Sequence, residues 1–446
     1  TVNAGFRYDA QEGTIGAAST IPVFPFFEDV LPQLSAPAKD AGFDWTTVTP
    51  RIGATYALGE DRDTLLRASF SMFPEQLGSG DVSQTNGVTY SYAYFSFIDL
   101  NGDSQWDENE SYEFLFASGF DVNDPLKVVN GVESGLDPEM TTELILGVEH
   151  SFLPEFVMGL TYTYRNIDDV KEAPDYITGN GITGDLGRPW TAADFVNEGP
   201  FVQELPTVIA DGSTRSTDIY GLAPGFSRTG GDFLRNGSRS REYNGLGVTF
   251  NKRLSNGWGA RGFINMGETE WDVPAQYDAN SNPNDAQDGS DNDGAVYFIR
   301  SSGSGRGDIY LQSGWQANLT GIYQVAVDRP WGFTLSGNIY AREGYPVPYD
   351  VRTSRGDGIP TQNVSLLGKA VDQFRVDDVL TTDLRVEKEF SATSNVSLTF
   401  GIDLFNALNE ATVTAREPTL TGGTADNVQD LIAPRVWKLG VRVSWR

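Results

Sequence analysis

The chain has 446 residues, with 61 Asp and Glu against 32 Lys and Arg, one His and no Cys. A net charge of −29 argues against nucleic acid as a partner, since phosphate binding needs clustered cations. Without Cys there is no disulfide or thiolate metal site, and a lone His150 leaves no room for a His-based catalytic or zinc centre.

The opening TVNAGFRYD reads as the middle of a strand, with no Met and no leader-like apolar run, so a longer protein is expected upstream. No apolar stretch approaches the roughly 20 residues of a spanning helix. Period-two alternation instead recurs along the chain, marking strands with a different solvent on each side. In chain order the segments are Thr1–Tyr8, Val48–Leu58, Leu65–Phe73, Thr142–Phe152, Phe156–Arg165 and Tyr243–Leu254. Then come Trp258–Met266, Trp315–Val325, Trp331–Ala341, Leu380–Phe390, Val396–Asn406 and Val436–Trp445. In the last, Trp437, Leu439, Val441, Val443 and Trp445 share one face and Lys438, Gly440, Arg442 and Ser444 the other. The fold class is all-β.

The connections alternate between short (59–63, 153–155, 255–257, 327–329, 391–395) and long (9–47, 74–141, 166–242, 267–314, 342–379, 407–435). A soluble sandwich has no reason to place every long loop at one end, whereas an antiparallel transmembrane barrel has short periplasmic turns and long extracellular loops. Aromatic residues beside the short turns (Phe152 and Phe156, Trp258, Tyr323 and Trp331, Phe390) fit an interfacial girdle. The opposite face carries Arg51, Arg67, Arg165, Arg261, Arg342, Asp383, Arg385, Asp403 and Arg442, charges that would be costly toward lipid and are expected to face a wet or plugged lumen.

The stretches TPRIGATYALGEDRDTLLRASFSMF (49–73), MTTELILGVEHSF (140–152), EYNGLGVTFNKRLSNGWGARGFINMG (242–267) and TTDLRVEKEFSATSNVSLTFGIDLFNALN (381–409) resemble TonB-dependent receptors, most closely the Oar-like members that carry a carboxypeptidase-regulatory-like domain. The resemblance implies a barrel of about 22 strands plugged by an N-terminal domain, energised through TonB. On that view residues 1–446 are about a dozen C-terminal strands, and their partners are outer-membrane lipid and lipopolysaccharide, the rest of the same receptor, TonB and surface proteins. Neither a plug nor a TonB box is seen in this sequence, and with no nucleophile–base pair an enzyme is not expected.

One loop stands apart. DLNGDSQWDENE (99–110) sets Asp99, Asn101, Asp103, Asp107 and Glu110 at positions 1, 3, 5, 9 and 12 of a calcium loop, with the Gln105 carbonyl at position 7. Position 6, usually Gly, is Ser104, and the flanks look like strands rather than helices. Ca²⁺ is the expected ion; the alternative is a solvated acidic turn. No Lys or Arg lies between Arg67 and Lys127 or between Arg261 and Arg300, and the second gap holds Asp278, Asp285, Asp288, Asp291 and Asp293 without ligand spacing. The functional expectation is a part of a receptor that imports a peptide or oligosaccharide. A surface-structural or adhesive protein is the main alternative, and a passive porin a further one.

Overall fold

The computed structural model describes residues 1–20, 32–88, 92–118, 123–179, 187–204, 214–272, 313–326, 328–347, 349–353, 364–367, 374–418 and 423–445. Twelve strands form one antiparallel sheet in which each pairs with its neighbours in chain order. They are β1 (Val2–Ile15), β2 (Lys39–Leu58), β3 (Thr64–Pro74), β4 (Met140–Leu153), β5 (Phe156–Asp168) and β6 (Ser240–Ser255). The second half comprises β7 (Trp258–Asp272), β8 (Trp315–Val325), β9 (Phe333–Arg342), β10 (Val379–Ser391), β11 (Val396–Phe405) and β12 (Val436–Trp445). Among the described residues no helix is long and apolar enough to cross a membrane, and the one α-helix spans only Ser79–Ser83.

The register turns the alternation into two continuous faces. Leu384 pairs with Leu404, Val386 with Ile402 and Ile402 with Leu439, so one apolar row crosses from β10 to β12. Leu384, Val386, Ile402 and Leu439 are exposed at 41–78% in the isolated chain, as expected of a surface that faces hydrocarbon and not a protein core. One residue along, Arg385 pairs with Asp403 on the other face. Tight turns lock this register: Asn256 (φ +53°) and Gly257 (φ +80°) supply the two left-handed residues that a two-residue hairpin needs.

The strands run further than the sequence pattern indicates. β1 continues to Ile15 against β2 from Lys39, with pairs such as Gln11–Trp45 and Glu12–Asp44. Beyond the apolar band, side chains of either kind suit both faces, so the alternation that marks a strand fades while the ladder continues. The long connections are also structured. They contain the hairpin Tyr92–Phe97 with Tyr112–Ser118, the pair Phe195–Glu204 with Thr214–Leu222, and a small sheet that gathers Asp175–Gly179 and Phe226–Asn236. The acidic run from Asp278 to Asp293 lies outside the described residues.

Candidate functional site: the polar wall and the outer loops

The polar face holds many of its charges in cross-strand pairs. Arg67 reaches Glu149 at 3.1 Å, Arg165 reaches Glu143 at 2.6 Å, and Arg385 reaches Asp403 across the strands at 2.8 Å and Glu387 on its own strand at 2.9 Å. Asp383 serves the backbone instead. Its carboxylate accepts the Asn406 N–H at 2.9 Å and supports a left-handed residue (φ +46°) at the end of β11. Arg342 lies on the same face by register but is buried, its guanidinium 3.8 Å from the Tyr345 ring centre and donating to the Glu343 carbonyl. Arg51, Arg261 and Arg442 share the face by register and form no ion pair among the described residues. The expected set is thus on one wall, but it divides into paired, structural and free members. The wall between Arg261 and Arg342 is neutral: Asn318 donates to Asn338 at 2.9 Å and Thr320 to the same oxygen at 2.8 Å.

Above the wall the loops carry small hydrophobic cores of their own. One packs Trp45, Leu136 and Leu234, with the Trp45 indole N–H donating to the Leu136 carbonyl at 2.8 Å. Lys171 lies 5.5 Å over the Trp45 ring and donates to Asp81 at 2.9 Å and to Glu75 at 3.0 Å. Burial opposes its charge, yet the Asp81 and Glu75 hydrogen bonds outweigh burial and raise its pKa. Burial also pushes the Glu139 carboxyl up. A second core packs Ile177, Phe195 and Leu222 beside Asp194, which is held low by Arg188 at 2.5 Å. A third packs Val347, Tyr349 and Val376, where the Tyr349 hydroxyl donates to Asp426 and its pKa rises through burial and that bond. Sequence reasoning missed all three. Their partners are distant in sequence, as Trp45 is from Leu234, and no local period marks them.

The acidic loop sits at the tip of the hairpin Tyr92–Phe97 with Tyr112–Ser118, as its aromatic arms imply. The Asp99 carboxylate accepts the Ser104 N–H at 2.9 Å and the Gly102 N–H at 2.6 Å, which together lower its pKa. Glu110 is buried and accepts the Leu100 and Asp107 N–H groups at 2.6 and 3.1 Å. The Asn101 amide donates to both Asp103 (3.2 Å) and Asp107 (2.7 Å). Ser104, in the glycine position of the pattern, adopts φ +63°. Among the described residues no three acidic or His side chains converge in a ready metal cluster.

Residues 1–263 match the outer membrane beta barrel domain family, more than half of the chain. The chain belongs to that family. The apolar face of the sheet is therefore its lipid face, in the Gram-negative outer membrane. Family membership leaves the finer Oar-like placement open. Similar solved structures include the outer membrane transporter YddB from Escherichia coli (12% identity, TM-score 0.46, 90% of this chain and 42% of that one). Others are the ferric preacinetobactin receptor BauA from Acinetobacter baumannii (12%, 0.43, 100% and 40%) and the FrpB iron transporter from Neisseria meningitidis (9%, 0.44, 99% and 42%). The chain spans about two fifths of the length of each of these structures. No curated protein matches it.

Proposed function

We propose that this chain is part of the wall of a TonB-dependent, Oar-like receptor that binds a peptide or oligosaccharide outside the cell and imports it. The observation that carries the reading is the polar wall, where Arg51, Arg261 and Arg442 have no ion pair among the described residues and lie on the same face as a neutral Asn and Thr stretch. Free guanidiniums in a confined lumen can hold carboxylates or bridge sugar hydroxyls without first breaking an ion pair. The loop cores support the same reading, because folded loops present a fixed surface to a ligand. The remaining strands, a plug and TonB itself are the partners this reading requires. Uptake of labelled peptide and oligosaccharide pools by cells carrying the full-length protein, with and without TonB, tests it. Uptake that needs TonB and falls in a joint Arg51→Gln, Arg261→Gln variant is expected. TonB-independent diffusion would make the protein a porin, and surface binding without uptake would make it an adhesin.

A second reading concerns loop 99–110, which we propose holds one Ca²⁺ through Asp99, Asn101, Asp103, Asp107, Glu110 and the Gln105 carbonyl. The donor set is hard oxygen throughout, and the left-handed turn at Ser104 matches the sharp turn of such loops. These side chains here accept N–H bonds of their own loop, which pre-folds it. Ca²⁺ would supply positive charge to balance four carboxylates. Limited proteolysis at Asp99–Glu110 with Ca²⁺ and with chelator is the test. Protection by Ca²⁺, lost in Asp103→Asn with Glu110→Gln, is expected; equal cleavage leaves a solvated turn.

A further inference from the structure

The lipid face of the sheet has a hollow of about 590 Å³ across β7 to β10. Its floor is a row of small residues in direct register, Ala260 beside Gly321 and Gly321 beside Gly337. Trp258, Tyr323 and Leu335, also in register, wall its short-turn end. Glycine alone does not make this hollow. Gly262 faces the same way, yet a Cβ there would lie 2.7 Å from the Phe250 ring, so the protein itself fills that gap. A Cβ at Gly321 would meet nothing nearer than the Gly259 carbonyl at 4.0 Å. Hydrocarbon must complete the surface here, because an empty void forfeits dispersion contacts on one side.

A second observation selects the hydrocarbon. Two lysines lie at the short-turn end, one on each side of the hollow: Lys252, which is buried, and Lys388, which is half-buried. Lys252 is 4.3 Å over the Trp258 ring and donates to Ser255 Oγ at 2.7 Å and the Trp258 carbonyl at 3.3 Å. Lys388 donates to the Pro330 and Gly332 carbonyls, each at 2.6 Å, and lies 5.1 Å from the Phe390 ring. Neither is paired with a carboxylate among the described residues. The Ser255 hydroxyl links Lys252 on to the Glu155 carboxylate at 3.2 Å, whereas carbonyls and a ring fix the Lys388 ammonium and leave its charge uncancelled, on a chain whose net charge is −29. Arg329 is exposed in the same turn as the carbonyl partners of Lys388, with Asp328 the nearby opposing charge.

We propose that the hollow is a seat for an anionic glycerophospholipid, one acyl chain lying over Gly321, against the Leu384 side chain that covers Gly337, and the phosphate held at the Lys388 and Arg329 side. The seat is independent of what the lumen carries. An acyl chain leaving bulk lipid gains no hydrophobic free energy, because lipid tails are as apolar as the protein surface. Selection therefore rests on packing into the hollow and on headgroup charge, a lipid-recognition mode open to any cation cluster at a membrane interface.

The test uses the full-length protein in nanodiscs of equimolar phosphatidylglycerol and phosphatidylcholine. Lipid that stays bound after transfer to detergent is counted by native mass spectrometry. The wild type should retain phosphatidylglycerol several-fold over phosphatidylcholine. Gly321→Leu fills the hollow and should abolish retention of both. Lys388→Gln should keep a bound lipid but bring the ratio to about one. Barrel assembly of each variant is verified by heat-modifiable migration, and the wild-type ratio needs no variant at all. Equal retention of the two lipids by the wild type overturns the proposal. So does retention unchanged in Gly321→Leu, or a seat filled by lipopolysaccharide or a second copy of the chain.

Discussion

Lys171 shows how one side chain joins distant loops. It ties the segment after β5 to Glu75 and Asp81, and it covers Trp45. A lysine whose folded pKa is raised contributes stability that is complete below its ordinary value, about 10.4, and is lost as pH climbs through the raised one. The outer loops should thus resist protease at neutral pH and yield in strong alkali. Lys171→Met, which strands two carboxylates in a partly buried site, should cost about 1–3 kcal/mol locally and open the same cleavage at neutral pH. Unchanged cleavage in the variant would show that the apolar core alone holds the loops. The Arg385–Asp403 pair gives a complementary case on the wall. Asp403 is 8% exposed, so Arg385→Met leaves a nearly buried carboxylate unpaired. With the Arg385 side chain itself 42% exposed, the loss should be about 1–2 kcal/mol, below that of a fully buried pair. Adding Asp403→Asn should recover part of it in a urea-unfolding series.

At the level of strands, the faces can be tested directly. Single Cys at Leu384, Val386, Phe400, Ile402, Leu439 or Val443 should label with a membrane-restricted probe. Cys at Asp383, Arg385, Asp403 or Arg442 should not. Equal labelling of the two sets would end the assignment of faces. Ile402→Arg should likewise cost about 2–4 kcal/mol if the position sits near the midplane. This level was the most legible in the sequence. Hydrocarbon outside and charge inside force strict alternation, and every one of the twelve alternating segments became a wall strand. The hairpin around Asp99–Glu110 was legible too, through its aromatic arms. The extension of β1 and β2 to Ile15 and Lys39 was not, because outside the apolar band neither face is obliged to be greasy. Nor could the pattern separate the free Arg261 from the buried Arg342, since both occupy the same face and only tertiary contact with Tyr345 distinguishes them.

For the molecule as a whole the decisive feature is the pair of sheet edges. Among the described residues β1 pairs only with β2, and β12 only with β11. β12 has ten residues, all exposed in the isolated chain, and its apolar row places it in the hydrocarbon. About half of its backbone N–H and C=O groups therefore point to an empty edge. In lipid each unsatisfied group costs several kcal/mol, so one such edge alone outweighs the roughly 5–15 kcal/mol by which a folded protein is stable. Two resolutions exist: β1 closes on β12, or further strands meet both edges. The register favours the second, because the described sheet carries its twelve strands without pairing its two ends. We predict that residues 1–446 refolded alone in detergent do not give a monomeric, heat-modifiable barrel, and that β1 and β12 exchange their amide protons quickly. In the full-length protein the amides of Val2–Ile15 and Val436–Trp445 should be as protected as those of β5 and β6. A compact barrel from the chain alone, with a Cys pair across β1 and β12 forming a disulfide, would establish closure and remove the need for further strands.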